Sequence, residues 1–126
     1  MEKTKLKELL FSAINSSILA GIEIMKIYEA DFDIEYKEDN SPLTLADKKS
    51  NDVICNLLNK HNIPSLSEEG SEIKYEERKK WPFFWMIDPL DGTKEFVKKN
   101  GEFTVNIALI KNDSPILGVV YCPTSN

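Results

Sequence analysis

The chain has 126 residues, 41% apolar and 29% charged, which suits one domain with a hydrophobic core and not a disordered segment. Its formal net charge of −5 argues against binding a nucleic-acid backbone, and the runs Lys48-Lys49, Arg78-Lys79-Lys80 and Lys98-Lys99 each lie near acids and read as solvated faces. No apolar stretch approaches the ~20 residues that cross a bilayer and the N-terminus lacks a secretory pattern, so neither a transmembrane segment nor a leader is expected.

Leu6, Leu9, Leu10, Ala13, Ile14, Ile18, Ile22, Met25 and Tyr28 recur at helical spacing and predict a long amphipathic helix over residues 4–29, with Gly21 as its weak point. Residues 31–36 alternate acidic and apolar side chains, as a half-exposed strand does, and residues 37–42 have the composition of a turn. Thr44 with Asp47 three residues on reads as a capping box opening a second helix. Val53, Ile54, Leu57 and Leu58 give that helix its apolar face, and it should end near Lys60, before Pro64. The single histidine, His61, falls at that helix end, where a cationic ring would complete the dipole.

A short strand is expected over 63–67, then a charged loop over 68–80 with one helical turn. Phe83-Phe84-Trp85-Met86-Ile87 is a compact apolar run predicting a strand buried on both faces, ended by Asp88-Pro89. A helical turn over 94–98 precedes the apolar runs 103–110 and 116–121, which predict an antiparallel hairpin. The order implies an α+β or layered α/β/α domain. Cys55 and Cys122, far apart and without a partner pattern, read as buried free thiols of a reducing cytoplasm.

The segment Trp85-Met86-Ile87-Asp88-Pro89-Leu90-Asp91-Gly92-Thr93 carries the chemistry. A strand delivers Asp88, and one turn can point Asp91 into the same space. Gly92 and Thr93 then open a helical turn whose free N–H groups suit phosphate. Glu68-Glu69 follow the short strand, and Asp47 adds a carboxylate from the second helix. Taken singly, Asp-Pro, Asp-Gly and Glu-Glu are ordinary surface features; two acidic groups that both follow strand-like runs favour a site. Carboxylates brought together repel unless a cation lies between them, and hard oxygen ligands suit Mg²⁺.

Asp88-Pro89-Leu90-Asp91-Gly92-Thr93 resembles the Asp-Pro-(Ile/Leu/Val)-Asp-Gly-Thr motif of the inositol-monophosphatase-like, lithium-sensitive phosphatases. Ser41-Pro42-Leu43-Thr44-Leu45-Ala46-Asp47 and Ser67-Glu68-Glu69 resemble the family's two upstream elements, in the right order. Lys94-Glu95-Phe96 and the stretch from Asn100 to Ile110 are similar to its 3′(2′),5′-bisphosphate nucleotidase branch, the CysQ type.

The resemblance implies that Glu68, Asp88 and Asp91, with the Leu90 carbonyl, ligate two or more Mg²⁺ ions, Asp88 bridging two of them, and that Li⁺ inhibits. It implies that Thr93, hydrogen-bonded to Asp47, orients and helps deprotonate the attacking water, that Glu69 supports the ligands, and that Gly92, Thr93 and Glu68 meet the substrate phosphate. The implied substrate is adenosine 3′,5′-bisphosphate, hydrolysed to AMP and phosphate, with 3′-phosphoadenylyl sulfate related and sulfur metabolism the setting. Inositol monophosphate or fructose 1,6-bisphosphate are the enzymatic alternatives, and a non-catalytic, self-associating remnant the alternative of another class. The family also has a C-terminal half with a Trp-Asp element, so residues 1–126 are expected to be the N-terminal half of the sugar-phosphatase-type fold, two helices plus a mainly antiparallel sheet. Either a homodimer or a complementary C-terminal half would then be its partner, in the cytoplasm or peripherally at the inner face of a membrane.

Overall fold

The computed structural model describes residues 2–30, 41–70 and 72–125. The strand expected over 31–36 lies outside them, as does the turn after it up to residue 40. Helix α1 (Lys3–Tyr28) runs unbroken and buries Leu9, Ala13, Ala20 and Ile24 along one stripe. Ser16 and Ser17 are buried in the same stripe, and their hydroxyls donate to the Ser12 and Ile14 carbonyls at 2.6 and 2.7 Å, so neither is left unsatisfied. By length and composition alone α1 would pass for a membrane span, contrary to what the sequence suggests. Its stripe closes the core against the second helix and the sheet, which accounts for the apolar residues on that side.

Helix α2 (Pro42–Leu58) starts three residues earlier than the expected capping box would place it. Ser41 is the N-cap and accepts from the Thr44 N–H at 3.0 Å, while Pro42 takes the first turn, where its fixed φ fits and its missing N–H has no partner to lose. Asp47 is therefore free of capping duty and is buried on the inner side of α2. A 3₁₀ turn, Asn59–His61, ends the segment as Asn62 turns left-handed (φ 55°). His61 lies in the last turn of that segment, as expected. Partial burial and the nearby Lys5 and Lys60 hold its pKa below the ordinary value, and its Nε2 hydrogen-bonds the Ser12 hydroxyl at 2.8 Å.

The sheet runs in sequence order through β1 (Ser65–Ser67), β2 (Phe83–Asp91), β3 (Thr104–Lys111) and β4 (Ser114–Tyr121). Strands β1 and β2 pair in parallel, with Ser65 opposite Trp85; the other pairs are antiparallel. The helical turn expected within 68–80 is α3 (Tyr75–Arg78), and α4 (Thr93–Lys98) follows β2. Lys111 pairs with Ser114, so the hairpin turn is only Asn112-Asp113, tighter than the expected loop, with Asn112 left-handed at φ 58°. Pro115 lies inside β4, an edge strand, where a missing N–H costs little. Gly21 answers to packing: a Cβ there would lie 2.6 Å from the Tyr121 ring of β4.

Helices α1 and α2 cover one face of the sheet, burying Trp85, Ile87, Val105, Ile107 and Leu109 against Leu9, Ile24, Ile54 and Leu58. Among the described residues no helix covers the other face, where Met86 is 46% and Val120 74% exposed. Strand β2 is thus not buried on both faces as expected, because both long helices pack on the same side. Tyr28, Phe96 and Phe103 stack with ring centroids 4.9 to 5.4 Å apart and tie α4 to the end of α1. Cys55 and Cys122 are free, as expected, though half-buried rather than buried.

Candidate functional site

Successive side chains of a strand point to opposite faces, so residues three apart, such as Asp88 and Asp91, should diverge. They do not. Asp88 pairs with Asn106 and Asp91 with Thr104, three steps along β2 against two along β3. The extra residue is a β-bulge, and it restores both aspartates to the side that carries Thr104 and Asn106. The expected turn after Asp88-Pro89 is in fact a bulged strand continuing to Asp91.

Asp88 lies at the centre of the acidic groups. Burial, then Glu68 and Asp91, push its pKa up to about 6, opposed by a hydrogen bond from the Leu90 N–H, with Glu69 adding to the rise. Asp47 approaches from α2, only 9% exposed. Burial, then Glu69, Asp88 and Glu68, raise it to about 7. Glu68 and Glu69 act on both aspartates, Asp88 also on Asp47, and Asp91 on Asp88. Among the described residues, however, no three His, Cys, Asp or Glu side chains close into a ready metal-holding group. The donors are all carboxylate oxygens, which suit a hard cation that keeps several waters and takes only one or two protein carboxylates.

Nor does any hydrogen bond among the described residues join Thr93 to Asp47; the charged groups that act on Asp47 are the carboxylates of Glu69, Asp88 and Glu68. Thr93 is the first residue of α4, directly after Gly92. Gly92 has φ 95°, and a Cβ on it would lie 3.0 Å from the Glu102 carbonyl oxygen and 3.2 Å from the Phe103 Cα. Gly92→Ala should therefore cost about 2 kcal/mol or more of folding stability, measured by thermal melting, because left-handed strain adds to a backbone clash.

Three supports were not among the sequence candidates. The Ser50 hydroxyl, fully buried on α2, donates to the Pro89 carbonyl at 2.7 Å and ties the bulge to the helix. The Ser67 hydroxyl donates to Asn51 Oδ1 at 2.5 Å and accepts from the Glu69 N–H at 3.3 Å, which fixes the turn bearing Glu68 and Glu69. Asn106 Nδ2 donates to Asp91 Oδ2 at 3.0 Å. The available signal was Thr104-x-Asn106, two polar residues interleaved with the inward Val105 and Ile107.

Residues 5–126 match the inositol monophosphatase family. The chain is 51% identical over 111 residues to the 3′(2′),5′-bisphosphate nucleotidase CysQ of Shigella flexneri, covering 85% of this chain and 45% of that protein. It is 39% identical over 106 residues to the CysQ of Haemophilus influenzae, covering 82% of this chain and 39% of that protein. The crystal structure of CysQ from Bacteroides thetaiotaomicron superposes with a TM-score of 0.85 at 49% identity, over 90% of this chain and 42% of that one. The inositol monophosphatase of Anabaena superposes at 0.78 with 27% identity, over 97% and 42%. The chain thus spans less than half the length of these relatives.

Proposed function

We propose, since the chain belongs to the inositol monophosphatase family, that residues 1–126 form the N-terminal portion of a Mg²⁺-dependent phosphatase that removes the 3′-phosphate of adenosine 3′,5′-bisphosphate. The observation that carries the reading is the bulge that turns Asp88 and Asp91 to one face, with Asp88 within electrostatic reach of Glu68. The choice of substrate rests on the bisphosphate nucleotidases at about 50% identity.

Glu68, Asp88 and Asp91, with the Leu90 carbonyl, would hold the cations. Bound there, Mg²⁺ would neutralise the carboxylates and the substrate phosphate and supply Lewis acidity to the phosphoryl oxygens. Water adds to phosphorus, the bond from phosphorus to the ribose 3′ oxygen breaks, and that oxygen takes a proton to give AMP. Gly92 and Thr93 N–H groups would receive the phosphate, with Glu68 beside it. Asp47, held near neutrality, is suited to taking the water's proton, with Thr93 orienting the water and Glu69 supporting it.

The uncovered sheet face, a groove of about 490 Å³ running from Val120 and Met86 to Glu68 and Asp88, favours a covering partner. A C-terminal half like that of the relatives, or a second copy of the chain, would supply it, in a cytoplasmic setting with peripheral membrane contact as a further option. Phosphate release from adenosine 3′,5′-bisphosphate, inositol monophosphate and fructose 1,6-bisphosphate, assayed with Mg²⁺ on the complete protein, tests the activity. The first should be preferred; release from inositol monophosphate alone would defeat the substrate assignment, and release from none would defeat the activity.

A further inference from the structure

We infer that Asn106, held in place by Thr104, is a positioning residue for the Asp91 carboxylate, an assignment that rests on the proposed cation binding. Asn106 Nδ2 donates to Asp91 Oδ2 at 3.0 Å, and Thr104 Oγ1 donates to Asn106 Oδ1 at 2.9 Å. Chemistry fixes the direction of this chain. An ionised carboxylate only accepts, so the amide's NH₂ must face Asp91, and the amide oxygen is left to take the Thr104 hydroxyl proton. A flipped amide would set two acceptors against each other.

The bulge makes the arrangement possible. Asn106 is the cross-strand partner of Asp88 and the hydrogen-bond partner of Asp91, so one amide stands between the two aspartates. The bond occupies one oxygen of Asp91 and resists rotation of the carboxylate, leaving its other oxygen to face a ligand. Neither Thr104 nor Asn106 belongs to the core, which β3 builds from Val105, Ile107 and Leu109. Their polar pairing is therefore not needed to fold the strand, and a function through Asp91 accounts for it. Partners of this kind, which orient a ligating carboxylate, typically change metal affinity by about 10- to 100-fold when removed.

The test is Mn²⁺ binding, followed by electron paramagnetic resonance on the complete protein, since Mn²⁺ takes the same oxygen ligands as Mg²⁺. Thermal melting in chelator checks that each variant is folded. Asn106→Leu should weaken Mn²⁺ binding about tenfold or more. Thr104→Val should weaken it in the same direction, and Thr104→Ser, which keeps the hydroxyl, should restore it. In an Asp91→Asn background, Asn106→Leu should have no further effect, because the group it acts through has gone. Wild-type affinity in Asn106→Leu, or a full additional loss in the double variant, overturns the positioning role and leaves the cation site standing. Should Asn106→Leu fail to fold, the Thr104 pair decides: equal affinity for Val and Ser overturns the role. If the wild-type protein binds no Mn²⁺, the cation-binding reading falls and this role falls with it.

Discussion

Asp88→Asn in the complete protein is expected to weaken Mg²⁺ binding on the order of 10³-fold and to lower phosphate release in parallel. Asp88 is the carboxylate that feels Glu68, Asp91 and Glu69 together, so a cation held among them meets it at close range. A unit charge pair about 4 Å apart near a protein surface is worth about 4 kcal/mol, which converts to about that factor. Asp47→Asn, on the α2 side and outside the proposed ligand set, should cost far less. Calorimetric Mg²⁺ titration checks both, and equal losses would contradict the assigned roles. A folding defect is separable from this result, because the metal-free Asp88→Asn chain should melt at or above the wild-type temperature at pH 8. The substitution removes a carboxylate that burial and its neighbours hold at about 6.

The second large effect is on stability. Asp47 is raised to about 7 in the folded chain from 3.8, with burial the main cause and Glu69, Asp88 and Glu68 behind it. The unfolded chain ionises this group first. Asp47's contribution to metal-free stability is therefore fully present below about pH 4, is lost as pH rises toward 7, and levels off above. A tenfold change in a proton's affinity corresponds to about 1.4 kcal/mol, so Asp47 would cost at most about 4 kcal/mol at pH 8, and less to the extent that solvent screens its neighbours. Asp47→Asn should recover most of that loss, raising the melting temperature on the order of 10 °C at pH 8 in chelator and changing little at pH 4. In the wild type, Mg²⁺ should raise the melting temperature more at pH 8 than at pH 4, where Asp47 and Asp88 are protonated. A flat melting temperature from pH 4 to pH 8 in chelator would refute the electrostatic reading of Asp47.

Much of the fold was legible in the order of residues. The helical spacing from Leu6 to Tyr28 places α1 within one residue at each end, although Ile14, Ile18 and Ile22 of that stripe are exposed and Ala20 and Ile24 are buried instead. The runs around Trp85, Ile107 and Val119 mark the central and hairpin strands. Signals that depend on competition between neighbours were less legible. Ser41 and Thr44 are both good caps, and Pro42 decides for Ser41 because it can begin a helix but cannot sit inside one. The apolar run 83–87 reads as buried on both sides because hydrophobicity is blind to where the helices go; Met86 is 46% exposed. His61 carries no mark of Lys5, which is distant in sequence and near in space.

From the chain alone come the residue types of the site and their membership of one family: Asp47, Glu68, Glu69, Asp88 and Asp91 are hard-oxygen donors set beside strand ends and helix starts. Which of them come near one another is a property of the tertiary structure. Strand parity would send Asp88 and Asp91 to opposite faces, and only the β2–β3 register, with its extra residue, brings them to the same one. The same register sets Asn106 against Asp91, and the packing of α2 brings Asp47 into the range of Asp88 while Ser50 secures the bulge. Pairing register and helix docking depend on contacts between residues far apart in sequence, so no local pattern of residues encodes them.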